Sequence, residues 1–161
     1  MKSIRNIAFS ALLAVGAFTM VTYTACNKDE CKDVVCNNGG TCVSGTCNCP
    51  TGYEGTNCET LSRTKFVGAY TGNETCTIGS DNYTVTIAAH SNDLQLTLTN
   101  IYNDGFSAVC TVTGKNTITF STNQAGATYT GTGTLNGNTL TIDYTISDGT
   151  ISNSCTYIGT K

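Results

Sequence analysis

The groups able to do chemistry in this chain of 161 residues are one histidine, eleven carboxylates and ten cysteines. His90 lies in Ala88-Ala89-His90-Ser91-Asn92-Asp93, where a hydroxyl and a carboxylate flank the imidazole in sequence. A nucleophilic triad needs such groups to converge from separate elements, with the base held by an orienting partner. One polar turn does not supply that, and His90 is read as a solvated loop histidine. Asp81, Asp104, Asp143 and Asp148 mostly fall at expected hairpin turns, where Asp serves the backbone. No phosphate-cradling glycine loop and no zinc-helix motif occurs in the sequence. The residue inventory predicts a non-enzyme without a cofactor.

The cysteines need a compartment before they can be interpreted. The chain opens Met1-Lys2-Ser3-Ile4-Arg5, followed by an apolar run from Ile7 to Val21 and small residues before Cys26. About 15 apolar residues are too few to span the hydrocarbon core of a bilayer as a helix. The layout is that of a secretory signal peptide over 1–25, so the mature chain is exported. In that oxidising setting the cysteines are read as disulfides and not as a zinc site. Removing Lys2 and Arg5 takes the net charge from −3 to −5. An acidic chain without a basic run argues against a nucleic-acid partner, whose phosphates require clustered Lys and Arg.

Tyr23-Thr24-Ala25-Cys26 resembles a bacterial lipobox, which implies lipid modification of Cys26 and a membrane anchor for a mature protein of soluble build. Residues 31–58 hold six cysteines spaced C-x4-C-x5-C-x4-C-x-C-x8-C, ending Cys47-Asn48-Cys49-Pro50-Thr51-Gly52-Tyr53-Glu54-Gly55-Thr56-Asn57-Cys58. This segment resembles the EGF-like module and sets its bounds at 31–59. The resemblance implies the pairs Cys31–Cys42, Cys36–Cys47 and Cys49–Cys58; six cysteines alone permit 15 pairings. Val34, Val35, Val43 and Tyr53 are the few residues available for a core, so the bridges must constrain the unfolded chain instead. Thr41, in an animal module a sugar-acceptor position, is read here as a turn or strand residue.

Between Cys26 and the first module cysteine stand Asn27-Lys28-Asp29-Glu30. Asn27, Asp29 and Glu30 match one half of the calcium pattern of EGF-like modules. The other half is lacking, because Val43-Ser44-Gly45 follows Cys42. Calcium seeks six to eight oxygen ligands, so this set is incomplete. The same tetrapeptide resembles the export label of surface lipoproteins, a Lys followed by two acidic residues near the lipidated cysteine. That is the favoured reading of 26–30, beside that of a solvated tether. It implies a protein of the bacterial outer membrane, displayed at the cell surface.

From Ser62 the pattern changes to alternation of apolar and polar residues. Tyr83, Val85 and Ile87; Leu94, Leu96 and Leu98; Ile118 and Phe120; and Leu140, Ile142, Tyr144 and Ile146 alternate with Thr, Gln and Asp. A period of two argues for strands with one buried face. Strands are expected near 66–75, 83–89, 94–100, 106–113, 116–121, 127–135, 139–146 and 151–159. Asn-Gly in Leu135-Asn136-Gly137-Asn138 and Asp-Gly in Ser147-Asp148-Gly149-Thr150 favour tight hairpins. The fold class is all-β: a disulfide-rich module followed, over 62–161, by an eight-stranded antiparallel meander barrel, with a β-sandwich as the alternative. Phe66-Val67-Gly68-Ala69-Tyr70-Thr71-Gly72 resembles the Gly-x-Trp opening of lipocalin-like barrels, with Tyr70 in place of Trp.

In a closed meander the first and last strands are neighbours, which predicts a Cys76–Cys155 bridge. Cys110 is then a free thiol beside Phe106, Ala108 and Val112; Cys110–Cys155 is the alternative. Function narrows to a non-catalytic interaction or adhesion module with a protein or glycan partner. Alternatives are a carrier of small apolar ligands and a glycan-binding protein using exposed tyrosines such as Tyr53 and Tyr102.

Overall fold

The computed structural model describes residues 30–161. The stretch read as a signal peptide, the expected lipidation position Cys26 and the calcium candidates Asn27 and Asp29 lie outside the described residues. Glu30 is an exposed turn residue. Residues 34–161 form one unit in which a disulfide-rich segment runs directly into a barrel.

Two short hairpins make up the disulfide-rich segment. β1 (Thr41–Val43) pairs with β2 (Thr46–Asn48), and β3 (Tyr53–Glu54) pairs with β4 (Thr60–Leu61). Ser44 and Gly45 turn the first hairpin with positive φ of 49° and 77°. Cys36 is bonded to Cys47 and Cys49 to Cys58, and Cys31 and Cys42 are both disulfide-bonded. Val35 and Val43 stay exposed, so covalent closure and not apolar burial holds this segment.

A 3-10 turn, Ser62–Phe66, leads into eight longer strands. These are β5 (Gly68–Cys76), β6 (Ser80–Ala89), β7 (Gln95–Thr99), β8 (Ser107–Val112), β9 (Thr117–Gln124), β10 (Ala127–Asn136), β11 (Thr139–Ser147) and β12 (Ser152–Thr160). Each pairs antiparallel with the next, and β12 pairs with β5, so the sheet closes on itself as a barrel. Closure leaves no unpaired edge. β12 meets β5 with Cys155 opposite Cys76, and these two are bonded across a sequence separation of 79. Cys110 is a buried free thiol, and burial pushes it up to about 12.

Alternation sorts the side chains. Tyr70, Val85, Ile87, Leu96, Leu98, Ile118, Leu140, Ile142 and Tyr157 point inward and are buried. Rows of Thr and Ser cover the outside, paired across strands as Thr71–Thr84, Thr86–Thr99, Thr119–Thr132 and Thr145–Ser154. Inward glycines make room for the aromatics. Gly72 lies opposite Gly159, and a Cβ at Gly72 would fall 2.0 Å from the Ile158 carbonyl oxygen. A Cβ at Gly159 would fall 2.6 Å from the Tyr157 hydroxyl, which donates to the Tyr70 carbonyl at 2.6 Å.

Several local expectations are corrected. The first barrel strand begins at Gly68 and not at 66, because 62–66 coil into the 3-10 turn that buries Phe66. Leu94 precedes β7 and packs toward Gly52, where an added Cβ would meet it at 2.1 Å. Asp81 and Asp143 lie within β6 and β11 instead of at hairpin tips. His90 is partly buried, not fully solvated, because Arg63 reaches over its turn. Tyr53 and Tyr102 are half-buried rather than exposed.

Candidate binding site at the far end of the barrel

The two ends of the barrel are built differently. At the near end, where β5 begins, the disulfide-rich segment and the 3-10 turn are fastened to the β6–β7 loop. The Arg63 guanidinium donates to the carbonyls of His90 at 2.7 Å and Asn92 at 2.6 Å, and to Asp93 Oδ1 at 2.8 Å. Lys65 Nζ is paired with Glu54 Oε2 at 2.7 Å. His90, Ser91 and Asp93 thus form part of a structural clamp. Ser91 Oγ is 3.4 Å from His90 Nδ1, whereas Asp93 is engaged by Arg63, so no oriented base results.

The far end carries the turns 77–79, 100–106, 125–126 and 148–151. The longest of these is unusual in backbone. Asn100, Tyr102 and Asn103 have φ of 69°, 58° and 55°, and Gly105 follows at 70°. A tyrosine in the left-handed region is held there only by its surroundings. Tyr102 donates its backbone N–H to the Tyr83 hydroxyl at 3.0 Å, and its ring lies 6.5 Å from that of Tyr129. Asn100 Oδ1 accepts the Gly105 N–H at 2.9 Å, which ties the loop to itself. Tyr129 in turn stacks edge-on against Phe106 at 4.8 Å and donates to Asp104 Oδ2 at 3.1 Å.

Beneath this loop lies a carboxylate the sequence reading did not single out. Glu74 is 2 % exposed. Tyr83 donates its hydroxyl to Glu74 Oε1 at 2.5 Å, and Tyr144 donates to the same oxygen. No group among the described residues donates to Oε2. Burial first, and then the bond to Glu74, pushes both phenols far above the ordinary tyrosine range. Asn153 is the second buried polar group here: its Oδ1 accepts the Ile78 N–H at 3.0 Å, and its Nδ2 lies 3.5 Å from the Tyr102 hydroxyl.

A cavity of about 270 Å³ opens among Glu74, Cys76, Ile78, Ser80, Asp81 and Tyr102. Glu74 and Asp81 are directly opposite in the β5–β6 ladder and so share one face of the sheet. Glu74, Cys76 and Cys155 also lie close enough to suggest a metal cluster, but the two sulfurs are spent in the disulfide. What remains is a pocket of two carboxylates, a phenol ring and apolar surface. Such a pocket can hold a ligand but contains no activated nucleophile. Parity was the available signal for Glu74: it shares the inward phase of Tyr70 and Cys76 on β5, as Asn153 shares that of Cys155 and Tyr157 on β12.

In comparisons with known proteins, no family model matches the chain, and no curated protein and no solved structure matches it.

Proposed function

We propose that this chain is a surface-anchored bacterial lipoprotein acting as a non-catalytic interaction module. Its disulfide-rich segment is read as EGF-like, and Cys26 as the lipid attachment point at the outer membrane. The observation that carries the binding role is the inequality of the barrel's two ends. The near end is occupied by the disulfide-rich segment, with Leu94 against Gly52 and Arg63 over the β6–β7 loop. The far end bears a cavity floored by a buried carboxylate and roofed by a strained, tyrosine-bearing loop. Strained backbone gathers at binding sites, where the fold holds it ready for a partner.

Binding at a surface is favoured over carriage of an apolar ligand because large side chains fill the barrel. Tyr70, Tyr157, Ile87, Leu96, Leu98, Ile118, Leu140 and Ile142 are all 0–1 % exposed and meet in one core. Eight strands enclose an interior just wide enough for such side chains or one small ligand.

The test has two arms. Protease added to intact cells should remove the wild-type protein, while Cys26→Ser should leave it out of the membrane fraction; a wild-type protein untouched by the protease overturns surface display. Native mass spectrometry of the purified, folded protein should find no non-covalently bound lipid at stoichiometric level, and a co-purifying apolar ligand overturns the interaction reading in favour of a carrier.

A further inference from the structure

The far-end cavity has a charge composition that asks for a cation. Glu74 and Asp81 face each other across two hydrogen-bonded strands, and like charges directly opposite in a ladder are destabilising. Asp81 receives the Asn103 side-chain amide at 2.8 Å and the Asn82 N–H at 2.7 Å, both neutral donors. Glu74 receives two neutral phenols on Oε1 and nothing from a described residue on Oε2. A buried carboxylate is ordinarily paired with a cation or bound to a metal. None of the residues lining the cavity is basic.

The same asymmetry extends over the barrel. Glu74, Asp81, Asp104 and Asp148 lie at the far end or in its turns. Arg63, Lys65, Lys115 and Lys161 all lie at the opposite end, in the 3-10 turn, the β8–β9 turn and after β12. A cleft of one sign with low-dielectric walls concentrates ligands of the other sign. The far end is thus negative without compensation from a basic side chain of the barrel.

We infer that this cavity receives an alkylammonium group, with Glu74 Oε2 and Asp81 as its acceptors. This rests on the far end being the binding end, and names the chemistry of its ligand. Two carboxylates fall short of the six to eight oxygens a calcium ion takes, but they suit the three donors of an ammonium group. Ile78 and Cys76 offer apolar surface for an aliphatic stem, and Tyr102 lines the same space, where its ring can make a cation–π contact. The volume, about 270 Å³, is below that of pockets for drug-sized ligands and fits a single side chain. A lysine side chain of a partner protein and a small free diamine share this chemistry.

The test is a titration of the folded, disulfide-intact protein followed by amide chemical shifts. The probes are Nα-acetyl-lysine methylamide, its neutral norleucine counterpart, putrescine and calcium chloride. The lysine probe should shift the amides of Ile78, Gly79, Asp81 and Tyr102, and the norleucine probe should bind at least tenfold more weakly. Asp81→Asn, at the exposed rim, should weaken the lysine probe at least threefold without changing the norleucine response. Glu74→Gln should do the same if folded, and the rim variant decides if it is not. Putrescine binding more tightly than the lysine probe identifies a free amine as the ligand; the reverse identifies a protein lysine. Equal response to the norleucine probe, no response to either amine, or saturation by calcium alone overturns the ammonium assignment. Surface display is read independently by protease treatment of cells, so loss of the amine site leaves that result standing.

Discussion

Five tyrosines of the barrel, Tyr70, Tyr83, Tyr129, Tyr144 and Tyr157, have their phenols raised, with burial the first cause in each. Tyr70 and Tyr129 reach about 12, and the others are also raised. A neutral acid whose folded pKa exceeds its unfolded value supports the fold fully while both states stay protonated. Free tyrosine begins to ionise near pH 10, so above about that pH the unfolded chain releases protons that the folded chain retains, and stability falls. Alkaline titration should show these phenols ionising together with loss of the barrel, at a pH above that of free tyrosine. Independent titration near pH 10 with circular dichroism unchanged would contradict this. At this scale the sequence was only partly legible. Tyr83, Val85 and Ile87 declare their inward phase by alternation, whereas Glu74, one acid within Gly72-Asn73-Glu74-Thr75-Cys76, carries no mark of burial except its parity.

Strands β6, β7, β9 and β11 were the most legible elements, because period-two patterning of apolar residues survives in them and Asn136-Gly137 and Asp148-Gly149 turns bound β11. Strand ends were not legible, since these depend on contacts distant in sequence. Leu94 fits the phase of Leu96 and Leu98, yet the chain turns before β7 and Leu94 meets Gly52 of the disulfide-rich segment. The same holds for Ser62–Phe66, whose coiling places Arg63 over a loop some 30 residues away in sequence. Arg63 reaches the β6–β7 loop by hydrogen bonds, with three backbone carbonyls within 3.5 Å and Asp93 at 2.8 Å. Arg63→Ala should cost about 2 kcal/mol, the scale of hydrogen bonds to a partly buried charge. The expected readout is a lower urea midpoint together with faster amide exchange confined to residues 90–95. Unchanged exchange in that loop would show that Arg63 does not hold it.

At the scale of the whole molecule, closure is the decisive property. β12 lies against β5 from Cys155–Cys76 to Thr160–Thr71, and the disulfide fixes this seam at the far end while Lys161 Nζ donates to the Lys65 and Val67 carbonyls at 2.6 and 2.9 Å at the near end. Joining residues 79 apart removes unfolded-chain entropy amounting to about 4.5 kcal/mol on the loop-closure estimate. Replacing both Cys76 and Cys155 by Ala should lower the urea midpoint accordingly and disorder the 77–79 turn beside the cavity. A double variant as stable as wild type would show that strand pairing alone closes the seam. The barrel topology itself was legible, because short links between successive strands leave few arrangements besides a meander.

The hydroxyl rows on the barrel's outside have one more consequence. Among the outward residues of the eight strands Asp143 is the only charged side chain, and it accepts the Thr156 hydroxyl at 2.7 Å. Water is therefore held along the wall by threonine and serine hydroxyls, which neither titrate in the ordinary pH range nor gather counterions. Salt screens charges but leaves such hydration in place. Apart from Asp143, the wall is a surface indifferent to ionic strength, and the barrel's response to its ionic surroundings is concentrated at its two ends.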